Sequence, residues 1–167
     1  FKKVNIYNDL FDEKRPHVYT ICNKMYSQIH NKNQSVLVSG ESGSGKTENT
    51  KYMLKFLCNN YSDNNLLSDK IINCNYLIEL FGNAKTQRND NSSRFGKFIK
   101  LYVYNKKIIG ANISSYLLEK SRISSIDKLE KTYHIFYLLT EKYKQLSEYG
   151  LEKSQDYRIL RESNYNH

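Results

Sequence analysis

Residues 40–47, GESGSGKT, contain the side chains best suited to chemistry in this 167-residue sequence. The spacing Gly40-x-x-x-x-Gly45-Lys46-Thr47 is a complete phosphate-loop pattern. Glycines permit a tight turn that brings backbone N–H groups against phosphate oxygens. The Lys46 ammonium can reach terminal phosphates, and the Thr47 hydroxyl suits Mg²⁺, which prefers oxygen ligands. The pattern predicts that a nucleotide is bound by the whole loop: Gly40, Glu41, Ser42, Gly43, Ser44, Gly45, Lys46 and Thr47.

The segments on either side of this loop support that interpretation. SVLV (35–38) is predicted to be a short buried strand, and residues 46–58 are predicted to form a helix. A helix directed at the loop would point its positive end at the phosphates. A chance match on a surface turn is the alternative, and the flanking strand and helix favour phosphate binding.

A second polar constellation lies in FGNAKTQRNDNSSRFGK (81–97), which lacks periodicity and is predicted to be a functional loop. It contains an amide, Asn89, two hydroxyls, Ser92 and Ser93, and a guanidinium, Arg94. Such groups beside a γ-phosphate can sense a triphosphate. The serines could instead only satisfy the loop backbone. The phosphate loop alone does not separate a kinase, a motor and a switch.

The remaining periodicities predict the elements that position these loops. Residues 16–30 are predicted to form an amphipathic helix buried through Val18, Ile21, Cys22, Met25 and Ile29. The other predicted elements are a loop at 59–65, a helix at 68–81 with Ser68 as N-cap, two strands around a turn at Asn105–Lys107, and a helix at 128–147. Together they predict an α/β nucleotide-binding fold with a mixed sheet flanked by helices.

Composition excludes several classes of protein. The 26 Lys plus Arg and 17 Asp plus Glu give a net charge of +9, but the basic residues are scattered, which disfavours a nucleic-acid patch. Three cysteines without a CxxC pattern disfavour a disulfide framework or a zinc site and fit a reducing cytosol. No apolar run approaches the ~20 residues of a membrane span. The sequence lacks an initiating Met, so we expect an internal piece of a longer protein.

Four motifs, in order, resemble the myosin motor head. They are GESGSGKTENTK, FGNAKTQRNDNSSRFGK, YLLEKSR and YHIFYLL, which together cover most of residues 34–139. Kinesins have a related NxxSSR loop, but there it continues as Ser-His, and their phosphate loop lacks GESGxGKTE. The resemblance implies that residues 1–167 are a partial motor domain with a phosphate-loop NTPase core. Its phosphate loop would be residues 40–47, and its first switch loop would be residues 89–97.

The same resemblance implies a role for each matching residue. Ser93 would join Thr47 on Mg²⁺, and Ser92 and Asn89 would hold the γ-phosphate and the attacking water. Arg94 would pair with a glutamate of a second switch. Weaker matches, Lys3 and Tyr7, would lie near the adenine. The residues expected to act in catalysis are Lys46, Asn89, Ser92 and Arg94.

The implied function is hydrolysis of Mg·ATP coupled to movement along actin, in the cytoplasm and at the actin cytoskeleton. The second switch, the actin-binding surfaces and the lever arm are not found before His167, so we expect the isolated segment to be weak in hydrolysis. Light chains would bind outside it. Two alternatives remain: a catalytically inactive nucleotide-binding or scaffold remnant, and another phosphate-loop phosphotransferase, for which no acidic base beside a substrate-hydroxyl site is visible.

Four further residues or motifs have plainer interpretations. Asn83 is interpreted as positional, His134 as a core residue, and Tyr133 with Tyr137 as an i, i+4 packing pair. LEKSR (118–122) is either a charged strand end or, by the resemblance, a neighbour of the sheet that transmits the nucleotide state.

Overall fold

Helices dominate the first half of the chain, and two-stranded ribbons follow them. The structure, a computed structural model, describes residues 17–142 and 146–160. In chain order the elements are α1 Val18–Ser27, α2 Lys46–Tyr61, α3 Asn65–Gly82, β1 Asn83–Ala84, β2 Ser92–Ser93, β3 Gly96–Tyr104, β4 Lys107–Tyr116, α4 Ser121–Ser124 and α5 His134–Tyr137. A π-helical turn, Leu138–Lys142, and 3-10 turns at Leu146–Tyr149 and Ser154–Asp156 follow. None of the helices in these ranges has the length and apolar character that crossing a membrane requires.

The chain divides into two units by its backbone contacts. The first unit comprises the residues up to Gly40 together with Ser44–Ile72 and Leu101–Gly110. The second unit comprises Glu41–Gly43, Asn73–Lys100 and the residues from Ala111 onward.

The first unit has an apolar interior between α1 and α2. Cys22 and Tyr26 of α1 are buried, as are five residues of α2: Met53, Leu54, Phe56, Leu57 and Cys58. Tyr19 stacks on Phe56 with ring centroids 4.9 Å apart, and Tyr26 stacks on Tyr61 at 3.5 Å. Burial raises the pKa of the Cys22 thiol to about 11, so it remains protonated at neutral pH.

The predicted helices at 16–30 and 46–58 are confirmed, with different ends and one different face. The buried face of α1 is centred on Cys22 and Tyr26, whereas Ile21 is 55% exposed, so that part of the predicted face is wrong. The stacking of Tyr26 on Tyr61 supplies the reason, because it turns this side of α1 toward α2.

The predicted helix cap at Ser68 is wrong. The helix begins three residues earlier, where the Asn64 carboxamide oxygen accepts a hydrogen bond from the Leu67 N–H at 3.1 Å. Asparagine is as good an N-cap as serine, and leucines after it continue the helix. Ser68 is instead buried within α3, and its hydroxyl donates to the Asn64 carbonyl at 3.2 Å.

The predicted buried strand at 35–38 is also wrong. Residues 33–40 have no regular secondary structure, and Leu37 is 91% exposed. A buried strand needs paired neighbours, and within residues 17–142 and 146–160 no strand pairs with this segment.

The strand pair around residue 105 is confirmed. β3 and β4 form a two-stranded antiparallel hairpin, and Asn105 and Lys106 between them have φ values of 45° and 59°. Positive φ at both central residues is the type I′ turn, whose twist matches that of the strands. With β1 and β2, also antiparallel, the described chain consists of helices and small antiparallel sheets.

The predicted helix at 128–147 is replaced by shorter pieces. Residues 128–133 are not helical, because the Lys131 N–H donates to the Lys85 carbonyl at 3.0 Å and Tyr133 pairs with Ala84. Helical turns begin only at His134, and residues 143–145 lie outside the described residues. Tyr133 and Tyr137 are therefore not an i, i+4 helical pair.

The second unit has a largely polar interior. Ala84, Tyr133 and Leu160 are its buried apolar residues in the described part of the chain. Its buried polar residues there are Asn75, Glu79, Asn83, Thr86, Ser92, Arg122, Thr132 and Thr140. Such groups are stable inside a protein only when they are hydrogen-bonded.

One such cluster joins α3 to β3. The Lys97 ammonium donates to the Asn75 carboxamide oxygen at 2.5 Å and lies 3.4 Å from a Glu79 carboxylate oxygen. The Asn75 amide donates to the same Glu79 oxygen at 3.0 Å. The Lys97 and Glu79 side chains are only 13% and 8% exposed. This cluster fixes the start of β3, directly after Arg94.

We expect Lys97→Met to lower the free energy of unfolding by about 3 kcal/mol, because it leaves the Glu79 carboxylate buried without its cation. Urea unfolding followed by circular dichroism measures the change. Lys107→Met is the matched control: its partner Asp63 is 75% exposed, and we expect a loss below about 1 kcal/mol. Equal losses in the two variants would contradict the buried-pair interpretation.

Candidate active site

The glycines of residues 40–47 have the backbone conformations that the pattern requires. Gly40, Gly43 and Gly45 have φ values of 152°, 83° and 86°. A Cβ atom on Gly40 would lie 2.6 Å from the Ser44 hydroxyl oxygen. Side chains at these three positions would therefore be strained, and at Gly40 one would also fill the turn.

In the first unit, Gly45 and Lys46 form the start of α2. Gly45 is the N-cap residue in a left-handed conformation, and no side chain caps the first turn. The N–H groups of that turn therefore lack a side-chain acceptor and suit an anion. The Lys46 ammonium donates to the Gly40 carbonyl at 2.6 Å, which keeps it beside the loop, and Thr47 follows half-buried.

In the second unit, Ser42 and Ser92 lie together. Their hydroxyl oxygens are 3.4 Å apart, and Ser92 is 3% exposed. Ser93 is exposed, and its hydroxyl donates to the Phe95 carbonyl at 3.4 Å. The structure thus brings two of the predicted site residues, Ser42 and Ser92, into contact.

The segment before Ser92 is held by pairing and by side-chain turns. Asn83 pairs with Ser93, and Ala84 pairs with Ser92. Asn83 is fully buried, and its amide donates to the Asn91 carboxamide oxygen at 3.0 Å, which agrees with its positional interpretation. The Asn89 carboxamide oxygen accepts from the Asn91 N–H at 3.0 Å, which closes the turn.

His134 is a half-buried partner of this loop, so its interpretation as a core residue is wrong. Its Nε2 lies 3.1 Å from the Asn91 carboxamide oxygen, which can only accept, so this nitrogen carries the proton. Burial and the Lys131 charge lower the pKa of His134, so the ring is neutral at physiological pH.

Arg94 belongs to a network of four charged side chains. Its Nε donates to a carboxylate oxygen of Glu119, and its Nη1 donates to the Ser92 hydroxyl at 3.3 Å. Arg122, 4% exposed, donates to the same Glu119 carboxylate at 3.0 and 3.3 Å and to Glu130 at 2.8 Å. Burial alone would raise the pKa of Glu119, but hydrogen bonds and charges from both arginines outweigh it, and the pKa is lowered.

Sequence reasoning missed this network. The alternating charges of LEKSR were the available signal, since Glu119 and Arg122 lie within that motif. The predicted partner of Arg94, a glutamate of a second switch, stays a prediction, and the described residues give Arg94 the Glu119 carboxylate instead. Neither interpretation offered for LEKSR included a contact with Arg94.

A cavity of about 290 Å³ opens beside these residues in the second unit. Its lining contributes two guanidinium groups, two hydroxyls, an amide and a carboxylate, from Arg88, Arg94, Ser42, Thr86, Gln87 and Glu130. Hydroxyls and guanidinium groups together suit an oxyanion. Lys3 and Tyr7, expected near an adenine, lie outside the described residues.

The sequence comparisons decide the family. A family profile described as the myosin head (motor domain) matches residues 2–167. The chain belongs to the myosin head family. Its myosin relatives include myosin heavy chain 95F of Drosophila melanogaster, 46% identical over 89% of this chain, and unconventional myosin-VI of Homo sapiens, 50% identical over 74%. A probable myosin heavy chain of Encephalitozoon cuniculi is 43% identical over 92% of it.

The chain spans only a small part of these myosins. It covers 12% of the Drosophila melanogaster protein and 10% of each of the other two. Within that part it includes both polar loops that the sequence singled out, residues 40–47 and 89–97.

The lowered pKa of Glu119 predicts an acid-sensitive stability. The ionised carboxylate stabilises the fold fully above its unfolded pKa, near 4.5, and this contribution is lost as the pH falls through the lower folded value. We expect Glu119→Gln to melt at a lower temperature at neutral pH and to lose part of this acid dependence. Thermal unfolding between about pH 7 and 3 measures both effects. Asp127→Asn, which removes an exposed carboxylate, is the control; the same curve for both variants would contradict the prediction.

Proposed function

We propose that this chain is the part of an actin-based motor that binds and hydrolyses Mg·ATP. One observation carries the proposal: a glycine-rich turn runs into a helix whose first turn no side chain caps, with Lys46 and Thr47 at its start. Membership in the myosin head family supports the same function. The finer fold that we propose is a phosphate-loop NTPase core whose mixed sheet is completed by other parts of the head.

The residues of the first unit fit a nucleotide phosphate. Its loop has room for oxygens where side chains would clash, at Gly40 and Gly45, and N–H groups of α2 can donate to them. Lys46 would leave the Gly40 carbonyl for the terminal phosphates, because a phosphate is a stronger acceptor than a neutral carbonyl. Thr47 would offer its hydroxyl to Mg²⁺.

The residues of the second unit would recognise the terminal phosphate. Ser92 and Asn89 would hold the γ-phosphate and the attacking water, and Ser93 would be the second hydroxyl on Mg²⁺. Arg94 would add a positive charge beside them. Ser93 already points an exposed hydroxyl, whereas Asn89 would have to release its turn contact with Asn91. Glu41, Ser42, Gly43 and Ser44 would complete the backbone around the phosphates.

Hydrolysis would proceed by in-line attack of water on the γ-phosphate, with no covalent enzyme intermediate. Mg²⁺ would neutralise charge that develops on the phosphate oxygens. Lys46 and the loop N–H groups would stabilise that charge from fixed positions, which is the largest contribution in most such sites. Asn89 and Ser92 would orient the water, and Arg94 would hold the charge balance.

The wider role is proposed from the family. Actin would be the track, through surfaces of the head that this chain does not contain, and light chains would bind elsewhere. The protein would act in the cytoplasm, at the actin cytoskeleton. Lys3 and Tyr7 would lie near the adenine.

We expect Lys46→Ala to weaken Mg·ATP binding at least tenfold, since it removes a charge-assisted contact to phosphate. Titration with a fluorescent ATP analogue measures the affinity, and circular dichroism tests the fold. Lys55→Ala is the matched control, since it makes the same change on α2 about 14 Å further along the helix axis. Unchanged affinity in Lys46→Ala would defeat the nucleotide assignment.

We expect the 167-residue chain alone to show no increase in ATPase rate when actin filaments are added. The chain covers only about a tenth of its relatives, and the proposed actin surfaces lie outside it. A chimera in which residues 2–167 replace the matching segment of human myosin-VI should restore activation. Actin-activated turnover by the isolated chain would contradict the proposed division of roles.

A further inference from the structure

Arg94 is held more tightly at one end of its guanidinium than at the other. Its Nε donates to the Glu119 carboxylate, while Nη1 donates to the Ser92 hydroxyl at 3.3 Å. Its side chain is 30% exposed and lines the cavity of the second unit. The charged anchor is therefore at Nε, and the terminal nitrogens lie on the side of Ser92 and the cavity.

Glu119 is itself fixed from four directions. Arg122, almost fully buried, donates twice to its carboxylate. The Glu119 N–H donates to the Arg94 carbonyl at 3.0 Å, and the Tyr133 hydroxyl donates to the Glu119 carbonyl at 2.6 Å. A carboxylate held in this way can define the direction of a flexible arginine, because each further hydrogen bond removes one of its freedoms.

The other neighbours of Arg94 cannot serve this purpose. Glu130 lines the same cavity, but its carboxylate pairs with Arg122 at 2.8 Å. Ser92 offers a neutral hydroxyl, which binds a guanidinium more weakly than a carboxylate does. Glu119 is therefore the group that sets the orientation of Arg94.

We propose that Glu119 is a positioning residue for Arg94: it binds Nε and so presents the terminal guanidinium nitrogens to a phosphate oxyanion in the cavity beside Ser92. The inference rests on the proposed function for the identity of that anion, the terminal phosphate of Mg·ATP. The orientation itself is a property of the chain without nucleotide. A purely structural ion pair would stabilise the fold without affecting which way Arg94 points.

The first experiment measures the orientation directly. In arginine side-chain ¹⁵N spectra of the chain, the Arg94 Nε–H should exchange slowly with water because a carboxylate holds it. Arg94→Lys identifies the signal. We expect Glu119→Gln to speed its exchange at least tenfold, as the loss of one charge-assisted hydrogen bond predicts, and Glu119→Asp to restore part of the protection. Glu130→Gln, which disturbs only the Arg122 side of the network, should leave it protected.

The second experiment measures affinity for Mg·ATP in the same variants. We expect Glu119→Gln to weaken binding on the order of tenfold, Glu119→Asp to recover part of it, and Asp127→Asn, an equal change of charge at an exposed site, to have no effect. An unchanged Arg94 Nε–H signal in Glu119→Gln, or equal changes in the signal with Glu130→Gln, would overturn the positioning role.

The two experiments separate the inference from the proposed function. If the wild-type chain does not bind Mg·ATP, the nucleotide assignment fails, while the exchange rates still support or overturn the orientation of Arg94 by Glu119. If the chain binds Mg·ATP and Glu119→Gln binds it equally well, the proposed function stands and the positioning role is overturned.

Discussion

The carboxylate of Glu119 is shared by two guanidinium groups, and much of the second unit is arranged around that shared contact. Arg122 is almost fully buried, and a buried charge is tolerated only when it is paired and its hydrogen bonds are satisfied. Glu119, Glu130 and the Lys131 carbonyl meet this requirement. Because Glu119 also contacts Arg94 through its backbone and its side chain, the requirement to pair Arg122 fixes the geometry of the candidate switch loop.

The site thus depends on two constraints of different range. Residues 40–47 are shaped locally, by glycines that reach positive φ and by the start of a helix. Residues 83–94 are shaped by partners far along the chain, at positions 119–134. In the first case the chemistry follows from the backbone of a short segment, and in the second it follows from burial.

This difference in range explains how much the sequence could predict. The phosphate loop, α2 and the hairpin turn were predictable, because glycine spacing, apolar spacing and an Asn-containing turn act over a few residues. The contact of Glu119 with Arg94 was not, since it joins residues 25 positions apart and its motif resembles an ordinary charged surface. The strand at 35–38 and the helix at 128–147 were wrong for a related reason: the apolar pattern was present, but pairing partners decide whether a segment becomes a strand or a helix.

The contrast between the two interiors has a thermodynamic consequence. On unfolding, exposure of apolar surface raises the heat capacity, whereas exposure of polar surface lowers it. The first unit buries mainly apolar side chains, and the second buries amides, hydroxyls and charges. We therefore expect the second unit to have the smaller heat-capacity change per residue and a flatter curve of stability against temperature. The loop that would sense the nucleotide thus lies in the unit whose stability changes less between cold and warm conditions.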